Sequence, residues 1–410
     1  MIDFKRFKNT YLFLFLVLNF QLISCAQKLK SIEKNTTDAS AVIKTGAEST
    51  SLYLNLLKGK NIAVVANQTS VIEKIAAANE KRVFTHLVDS LLSLKIKIKK
   101  VFAPEHGFRG KADAGEIIKD GFDRKTGLPI ISLYGKNKKP SAAQLKGIDV
   151  VVFDIQDVGA RFYTYISSLH YVMEACAEMG IPLIILDRPN PNGHYIDGPV
   201  LELEHRSFVG MHKVPVVYGM TIGEYGKMIN GEKWLHNNIK CDLTIIPLKN
   251  YEHQIAYSLP IKPSPNLPND KSIQLYPSLC FFEGTNVSAG RGTEMQFQIY
   301  GSPFLDKNAF SFTPQANEGA KYPKYKNKIC FGEDLRTTEN FNALDLSFII
   351  KAYKQNSSKE FFNNFFTKLA GTEKLQQQIE QGVSQKEIQM SWKNGIERFK
   401  KVRSKYLIYK

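Results

Sequence analysis

An α/β protein built on a mostly parallel, Rossmann-like sheet is predicted by five apolar, β-branched runs that alternate with helix-like stretches. Two further observations support that class. Most of these runs are near-continuously hydrophobic, as strands covered on both faces require. Each is also followed at once by polar residues, as at the carboxyl rim of an open parallel sheet, where ligands bind. The runs are residues 62–66, 96–102, 129–133, 150–153 and 182–186. Between the last two, Ile166, Leu169, Val172 or Met173, and Cys176 recur at three-to-four spacing, which predicts an amphipathic helix over residues 163–179.

The polar residues after the runs carry the functional information. Asn67-Gln68-Thr69 follow the first, Pro104-Glu105-His106-Gly107 the second, Tyr134-Gly135 the third, Asp154 through Asp157 the fourth and Asp187-Arg188-Pro189-Asn190 the fifth. Any one of these is as readily a helix cap or turn former. Carboxylate, imidazole, amide and guanidinium recurring at five successive ends point instead to a polar active-site cleft.

Several chemistries lack their motifs. The first strand leads into Asn67-Gln68-Thr69-Ser70 without the glycine fingerprint of dinucleotide sites, and residues 110–115 have P-loop spacing with Glu116 where lysine is needed. Neither a GxSxG elbow nor an HExxH helix occurs. What remains is a set of carboxylates, Glu105, Glu116, Asp154, Asp157 and Asp187, the residue types that glycoside hydrolysis uses without metal or cofactor.

Composition sets the wider frame. A chain of 410 residues with 43% hydrophobic, 11% aromatic and 23% charged residues is globular, of two or three domains, and is not disordered, collagen-like or multi-span. The 55 Lys+Arg against 39 Asp+Glu give +16, a bias toward polyanions, anionic lipid surfaces or an acidic ligand. Lysine runs at 95–100 and 136–139 read as solvated faces, and no nucleic-acid signature is present.

At the N-terminus, Lys5, Arg6 and Lys8 precede an apolar run at 11–20 and then Leu22-Ile23-Ser24-Cys25. This predicts a signal peptide over 1–24, lipidation of Cys25, and a polar tether over 25–50 that anchors an exported bacterial lipoprotein to a membrane. A catalytic domain is expected over 51–270 and an ancillary domain over 271–410. Cys176, Cys241, Cys280 and Cys330 lie far apart in apolar surroundings and read as buried free thiols.

A second polar block lies beyond the sheet. Residues 263–270 form a proline-rich boundary or rim loop, and 283–294 a glycine-rich stretch in which Arg291, between Gly290 and Gly292, is placed to meet an anion. The remainder is mainly helical. Phe341, Leu344, Phe348 and Ala352 mark one amphipathic face, and Ile388, Trp392, Ile396, Phe399, Val402 and Tyr406 another that reads as core.

Ala103-Pro104-Glu105-His106-Gly107-Phe108-Arg109-Gly110, Ala114-Gly115-Glu116, the block from Asp154 to Tyr165, Leu186 to Pro191 and Gly284 to Glu294 closely resemble the exo-β-N-acetylmuramidase (NamZ) family. The resemblance runs from about residue 52 to the C-terminus. It implies a smaller, mixed, largely helical C-terminal domain, with the active site in the cleft between it and the Rossmann-like domain. It also implies release of N-acetylmuramic acid from the non-reducing end of peptidoglycan fragments by cleavage of its β-1,4 link to N-acetylglucosamine. The family's catalytic glutamate falls on Glu105. One departure is Met295-Gln296-Phe297-Gln298, where the family pattern has Pro and Glu.

Muramic acid differs from glucosamine by a lactyl carboxylate, so selectivity needs a cation, and Arg109, Arg161, Arg188 and Arg291 are the candidates. Glu116 and Asp157 are candidates for the second carboxylate, as nucleophile, base or orienter of the 2-acetamido group. Asn67, His106, Tyr163, Asp187, Asn190 and Glu294 are expected to complete the substrate pocket. The expected partners are muramic acid saccharides and, through lipid, a membrane. Two other readings stay open: a muropeptide-binding lipoprotein that does not cleave, and a metal-dependent hydrolase using His106, Asp157 and Asp187.

Overall fold

The computed structural model describes residues 42–74, 82–109, 120–307, 310–339 and 342–410. The predicted signal peptide, Cys25, Glu116 and Phe341 lie outside the described residues.

In chain order the first strands are β1 (Asn61–Ala66), β2 (Val71–Lys74), β3 (Val83–His86), β4 (Lys97–Ala103), β5 (Gly121–Phe122), β6 (Pro129–Ser132), β7 (Val150–Asp154), β8 (Leu183–Leu186) and β9 (Leu243–Ile246). Seven of them form one sheet in the order β5-β6-β4-β1-β7-β8-β9. All neighbours are parallel except β5, which pairs antiparallel with β6 at its edge. Strands β2 and β3 form a separate antiparallel pair.

The near-continuous hydrophobicity of the strands has a direct cause. Ala63, Val65, Phe102, Val151, Phe153, Leu183 and Ile185 face one core, with α4 (Tyr165–Met179) and α5 (Ile222–Gly231) against it. Ile62, Val64, Val101, Val150, Val152, Ile184 and Leu186 face the other, against α1 (Thr50–Leu57) and α2 (Leu87–Ser93). Alternate side chains point to opposite faces, so both sets must be apolar. A short helix, α3 (Ala142–Leu145), precedes β7 behind a Ser141 capping box.

Helix α4 begins at Tyr165, two residues later than predicted, because Tyr163 and Thr164 belong to the turn that leads into it. It stops at Gly180, whose φ of 64° suits a residue without Cβ.

After α6 (Asp270–Leu279) come β10 (Ile299–Ser302), β11 (Ser311–Phe312) and β12 (Cys330–Asp334), an antiparallel sheet in the order β10-β12-β11. Helices α7 (Ser347–Gln355), α8 (Phe365–Ala370), α9 (Lys374–Glu380) and α10 (Gln385–Arg403) follow. The predicted face at 341–352 is helical only from Ser347, and buried Leu344 precedes the helix. The four cysteines are buried and unpaired, as their apolar surroundings predict.

Residues 44–410 form one compact body. Its N-terminal edge departs from the predicted tether. Lys44 pairs with Lys249, and the Gly46 N–H donates to the Asp187 carbonyl at 2.8 Å. A Cβ on Gly46 would lie 2.4 Å from the Ile246 carbonyl oxygen, so only glycine lets the strand ends and this segment meet.

Candidate active site

A cavity of about 270 Å³ opens at the carboxyl ends of β4 and β6. Glu105, His106 and Tyr134 line it from the strand ends, and Phe162, Tyr163 and Thr164 from the turn before α4. Ser264, Asn266 and Leu267 contribute the proline-rich rim, while Tyr276, Glu283, Arg291, Phe297 and Phe365 come from the second half of the chain.

Glu105 sits on a tight turn after β4. His106 and Gly107 both adopt left-handed backbone, φ 69° and 76°, and the Gly107 N–H closes the turn on the Pro104 carbonyl at 3.0 Å. For His106 this conformation costs about 1–3 kcal/mol, held by the surrounding structure. Behind it, Phe108 is buried edge-on against His86, with Arg109 over its other side 4.5 Å from the ring centre. Thr164 occupies the N-cap position of α4 without capping it. Its Oγ1 instead donates to Glu105 Oε2 at 2.8 Å. The Tyr165 hydroxyl donates to the Glu105 carbonyl at 3.3 Å and accepts from Asn67 Nδ2 at 2.9 Å. Asn67 thus steadies the glutamate turn through Tyr165 and does not line the cavity.

The wall opposite is aromatic. Tyr276 meets Phe162, Tyr163 and Phe297 edge-on at 5.4, 5.9 and 4.9 Å. Phe297 lies in the stretch that departs from the family pattern, so that departure supplies cavity wall. The Tyr163 hydroxyl donates to the Pro263 carbonyl at 2.8 Å and holds the rim loop in place.

Arg291 is the one predicted lactyl reader that reaches this cavity. Its Nη1 lies 3.3 Å from Glu283 Oε1, and Nη2 donates to the Gly319 carbonyl at 3.3 Å. The flanking glycines act through packing. At φ 79° and 82°, a Cβ would strike Met295 O at 2.8 Å from Gly290 and Gln315 O at 2.7 Å from Gly292. Below, Lys324 donates to the carbonyls of Phe282, Thr285 and Val287, and burial pushes its ammonium down to about 8.

The other arginines are committed elsewhere. Arg109 binds Asp123, its Nη2 2.8 Å from Oδ2, and also Asp89. Arg188 grips Asp154 through two bonds, 2.6 and 2.9 Å, and donates to the Val71 carbonyl. Its partner is Asp154, and not the adjacent Asp187. Arg161 is wholly buried and donates to the carbonyls of Pro199, Val214, Leu369 and Ala370 at 2.7–2.9 Å. The last two are C-terminal carbonyls of α8, which need such a partner. Burial without a carboxylate pushes the guanidinium down to about 9.

Asp157 lies behind the cavity wall. Its Oδ2 accepts from Gly159 N–H at 2.8 Å and from the Tyr218 hydroxyl, while Oδ1 is buried without a hydrogen bond among the described residues. Burial pushes its carboxyl up to about 6, against those two donors. Asp187 is likewise pushed up to about 6 by burial while it accepts from Tyr409, Thr221 and the Gly223 N–H at the start of α5. Asn190 packs its amide against Gly159 and donates to the Met220 carbonyl. Glu294 is exposed on the turn after Arg291, outside the cavity lining.

Of the predicted residues, the structure therefore brings together Glu105, His106, Tyr163 and Arg291. Sequence reasoning left Thr164 and Glu283 unassigned. Thr164 stood in the quoted block but inside the helix predicted over 163–179, and Glu283 opened the glycine-rich stretch. Among the described residues, the one cluster of Asp, Glu, His and Cys close enough to share an ion is Glu202, Glu204 and His205. It contains none of His106, Asp157 and Asp187.

Comparison with known proteins agrees with this architecture. Residues 62–271 match the N-terminal and 274–409 the C-terminal model of the exo-β-N-acetylmuramidase NamZ family. The peptidoglycan β-N-acetylmuramidase NamZ of Bacillus subtilis (strain 168) is 37% identical over 432 aligned positions, covering 98% of this chain and 100% of that one. A crystal structure of a DUF1343 family protein from Bacteroides fragilis is 46% identical, with a TM-score of 0.81 over 90% of this chain and 99% of its own. A second protein of that description from the same organism is 28% identical, with a TM-score of 0.75 over the same shares. With both family models matched in order across nearly the whole described body, the chain belongs to the exo-β-N-acetylmuramidase NamZ family.

Proposed function

We propose that the protein is an exo-acting glycoside hydrolase that releases N-acetylmuramic acid from the non-reducing end of peptidoglycan fragments, with Glu105 as the general acid. The observation that carries this reading is Glu105 in the cavity, its carboxyl oriented by Thr164 on a strained turn at a strand end. Glycosidic cleavage needs a carboxylic acid to protonate the leaving oxygen. Thr164 fixes the carboxyl plane, and the Tyr165–Asn67 pair fixes the backbone beneath it. Glu283 is the second carboxylate that the described cavity residues supply.

A volume of about 270 Å³ falls just below the range of about 300–1,000 Å³ typical of drug-sized ligands. It suits one sugar residue and not a run of several, which favours cleavage from a chain end. Arg291 reads the lactyl carboxylate, exchanging its contact with Glu283 for one with substrate. The aromatic wall packs against the apolar face of the ring.

Purified residues 26–410 should release free N-acetylmuramic acid from a muramic acid–glucosamine disaccharide, with or without chelator. Release of glucosamine from chains that begin with glucosamine would overturn the assignment.

Export and membrane anchoring through Cys25 are part of the same proposal, supported by the basic, apolar and Leu-Ile-Ser-Cys segments in order. The wild type should fractionate with membranes and Cys25→Ser should not. A wholly soluble wild type would contradict it.

A further inference from the structure

A larger groove, about 680 Å³, lies outside the catalytic cavity, walled by residues 199–202, Trp234, α9 and α10. Its volume is within the range that holds small organic ligands. The chain has two tryptophans, and both line this groove. Trp234 rests one face on the His212 ring, centroids 4.5 Å apart and planes 14° apart, and is only half-buried. Trp392, on α10, is largely buried and lines the groove from that helix.

Some of the polar groups around the indoles are bonded to one another, as Gln378 is to Ser391, and others are uncommitted. The side-chain amides of Gln377, Gln381 and Asn394 make no hydrogen bond among the described residues, and Lys213 and Arg398 have no carboxylate partner among them. The two glutamates present are already engaged: Glu202 with Lys374 at 2.5 Å, and Glu232 with the Tyr406 hydroxyl at 2.6 Å. The groove thus offers two unpaired cations. Gly395, inside α10, forgoes about 1 kcal/mol of helix stability relative to alanine. A Cβ there would meet only Val200, at 3.2 Å, so glycine keeps the gap between α10 and that strand of chain open.

The groove is also near the catalytic cavity. Phe365, at the start of α8, lines the cavity, and Thr372, two residues past the end of α8, lines the groove. From Phe365 to Ala370 the helix rises about 8 Å, and Gly371, at φ 72°, then turns the chain toward Thr372.

We propose that this groove is a second saccharide-binding site that holds the glycan strand of peptidoglycan fragments. The proposal rests on the muramidase reading above. Sugar rings pair apolar faces with the indoles. Hydroxyl and acetamido groups, which donate and accept, match amides that do the same. Lactyl carboxylates match Arg398 and Lys213. A strand held here keeps its muramic acid end beside the cavity, which raises its effective concentration for the cut.

The two tryptophans make the test direct. Residues 26–410 carrying Glu105→Gln are titrated with peptide-free glycan strands several disaccharides long while tryptophan emission is followed. A saturable change is expected, and Lys213→Met with Arg398→Met, both at exposed positions, should weaken it at least tenfold. In the otherwise wild-type enzyme the same double variant should raise KM for long strands and leave kcat/KM on the disaccharide unchanged. Three results would overturn the proposal: unaltered emission at saturating strand, a double variant that binds strands as tightly as its parent, or a response to free stem peptide alone. Failure of the wild type to cleave the disaccharide would sink the muramidase reading instead, and the strand titration would still report on the groove.

Discussion

Four arginines meet the chemical requirement for reading a lactyl carboxylate, and what each guanidinium already holds separates them. Arg109 and Arg188 are closed by aspartates and Arg161 by four carbonyls, which leaves Arg291 in the cavity. Arg291→Met should raise KM for the muramic substrate by about 10- to 100-fold, the equivalent of one charged hydrogen bond, with little change for an analogue lacking the carboxylate. Arg161→Met should act on stability, lowering it by at least about 1–3 kcal/mol in denaturant unfolding as its carbonyl partners lose their donor, without selectively raising that KM. Glu105→Gln should keep the fold and lower turnover by about 10² to 10⁴. Asp157 gives a pH signature. Its unfolded value is 3.8 and burial raises the folded one to about 6, so the folded state holds a proton that the unfolded chain has released between those values. Stability from this group is full below 3.8 and is lost as pH rises through 6, by on the order of 3 kcal/mol. Asp187 shifts the same way. Asp157→Asn should flatten part of the fall in unfolding free energy between pH 4 and 8, and an unchanged slope would show that Asp157 is not the group responsible.

At the scale of elements, legibility followed burial. The five strands were readable because their buried positions are apolar on both faces, while Lys97, Lys99 and Lys100 of β4 stay out of the buried set. Strand β9 escaped because it is an edge of only four residues with alternating exposure, and β2–β3 because it packs off the sheet as a short ribbon. The site divided along the same line. Glu105 and His106 stand at a strand end and announce themselves, whereas Arg188 and Asp187 stand at another and are consumed by structure. Residue type at a strand end shows where a cleft is supplied from, and a side chain's own partners decide whether it faces that cleft. One contact between elements is severe enough to test. A Cβ on Gly284 would lie 2.4 Å from the Phe366 Cα in α8. Gly284→Ala should therefore cost at least about 1–3 kcal/mol in thermal or urea unfolding and, by moving Phe365, lower kcat/KM as well.

Across the whole molecule, the two halves named by the family models are joined by buried polar ties. Arg161 reaches α8, and the chain's end returns to the first sheet, where Tyr409 donates to Asp187 at 2.7 Å and the Ile408 N–H to Glu224 at 2.8 Å. These ties make independent opening of either half costly, because each leaves a charge or carbonyl buried without its partner. The four buried thiols turn that into a clock. Cys176 and Cys241 belong to the first half, Cys280 and Cys330 to the second. Burial pushes all four up, Cys241 and Cys330 to about 12, so alkylation waits on exposure. If the halves open as one unit, all four should be modified at a common rate in native buffer. If the seam at Arg161 yields first, the thiols should fall into two pairs with separate rates. The cysteines, none of which lines the cavity, thus record how the molecule comes apart.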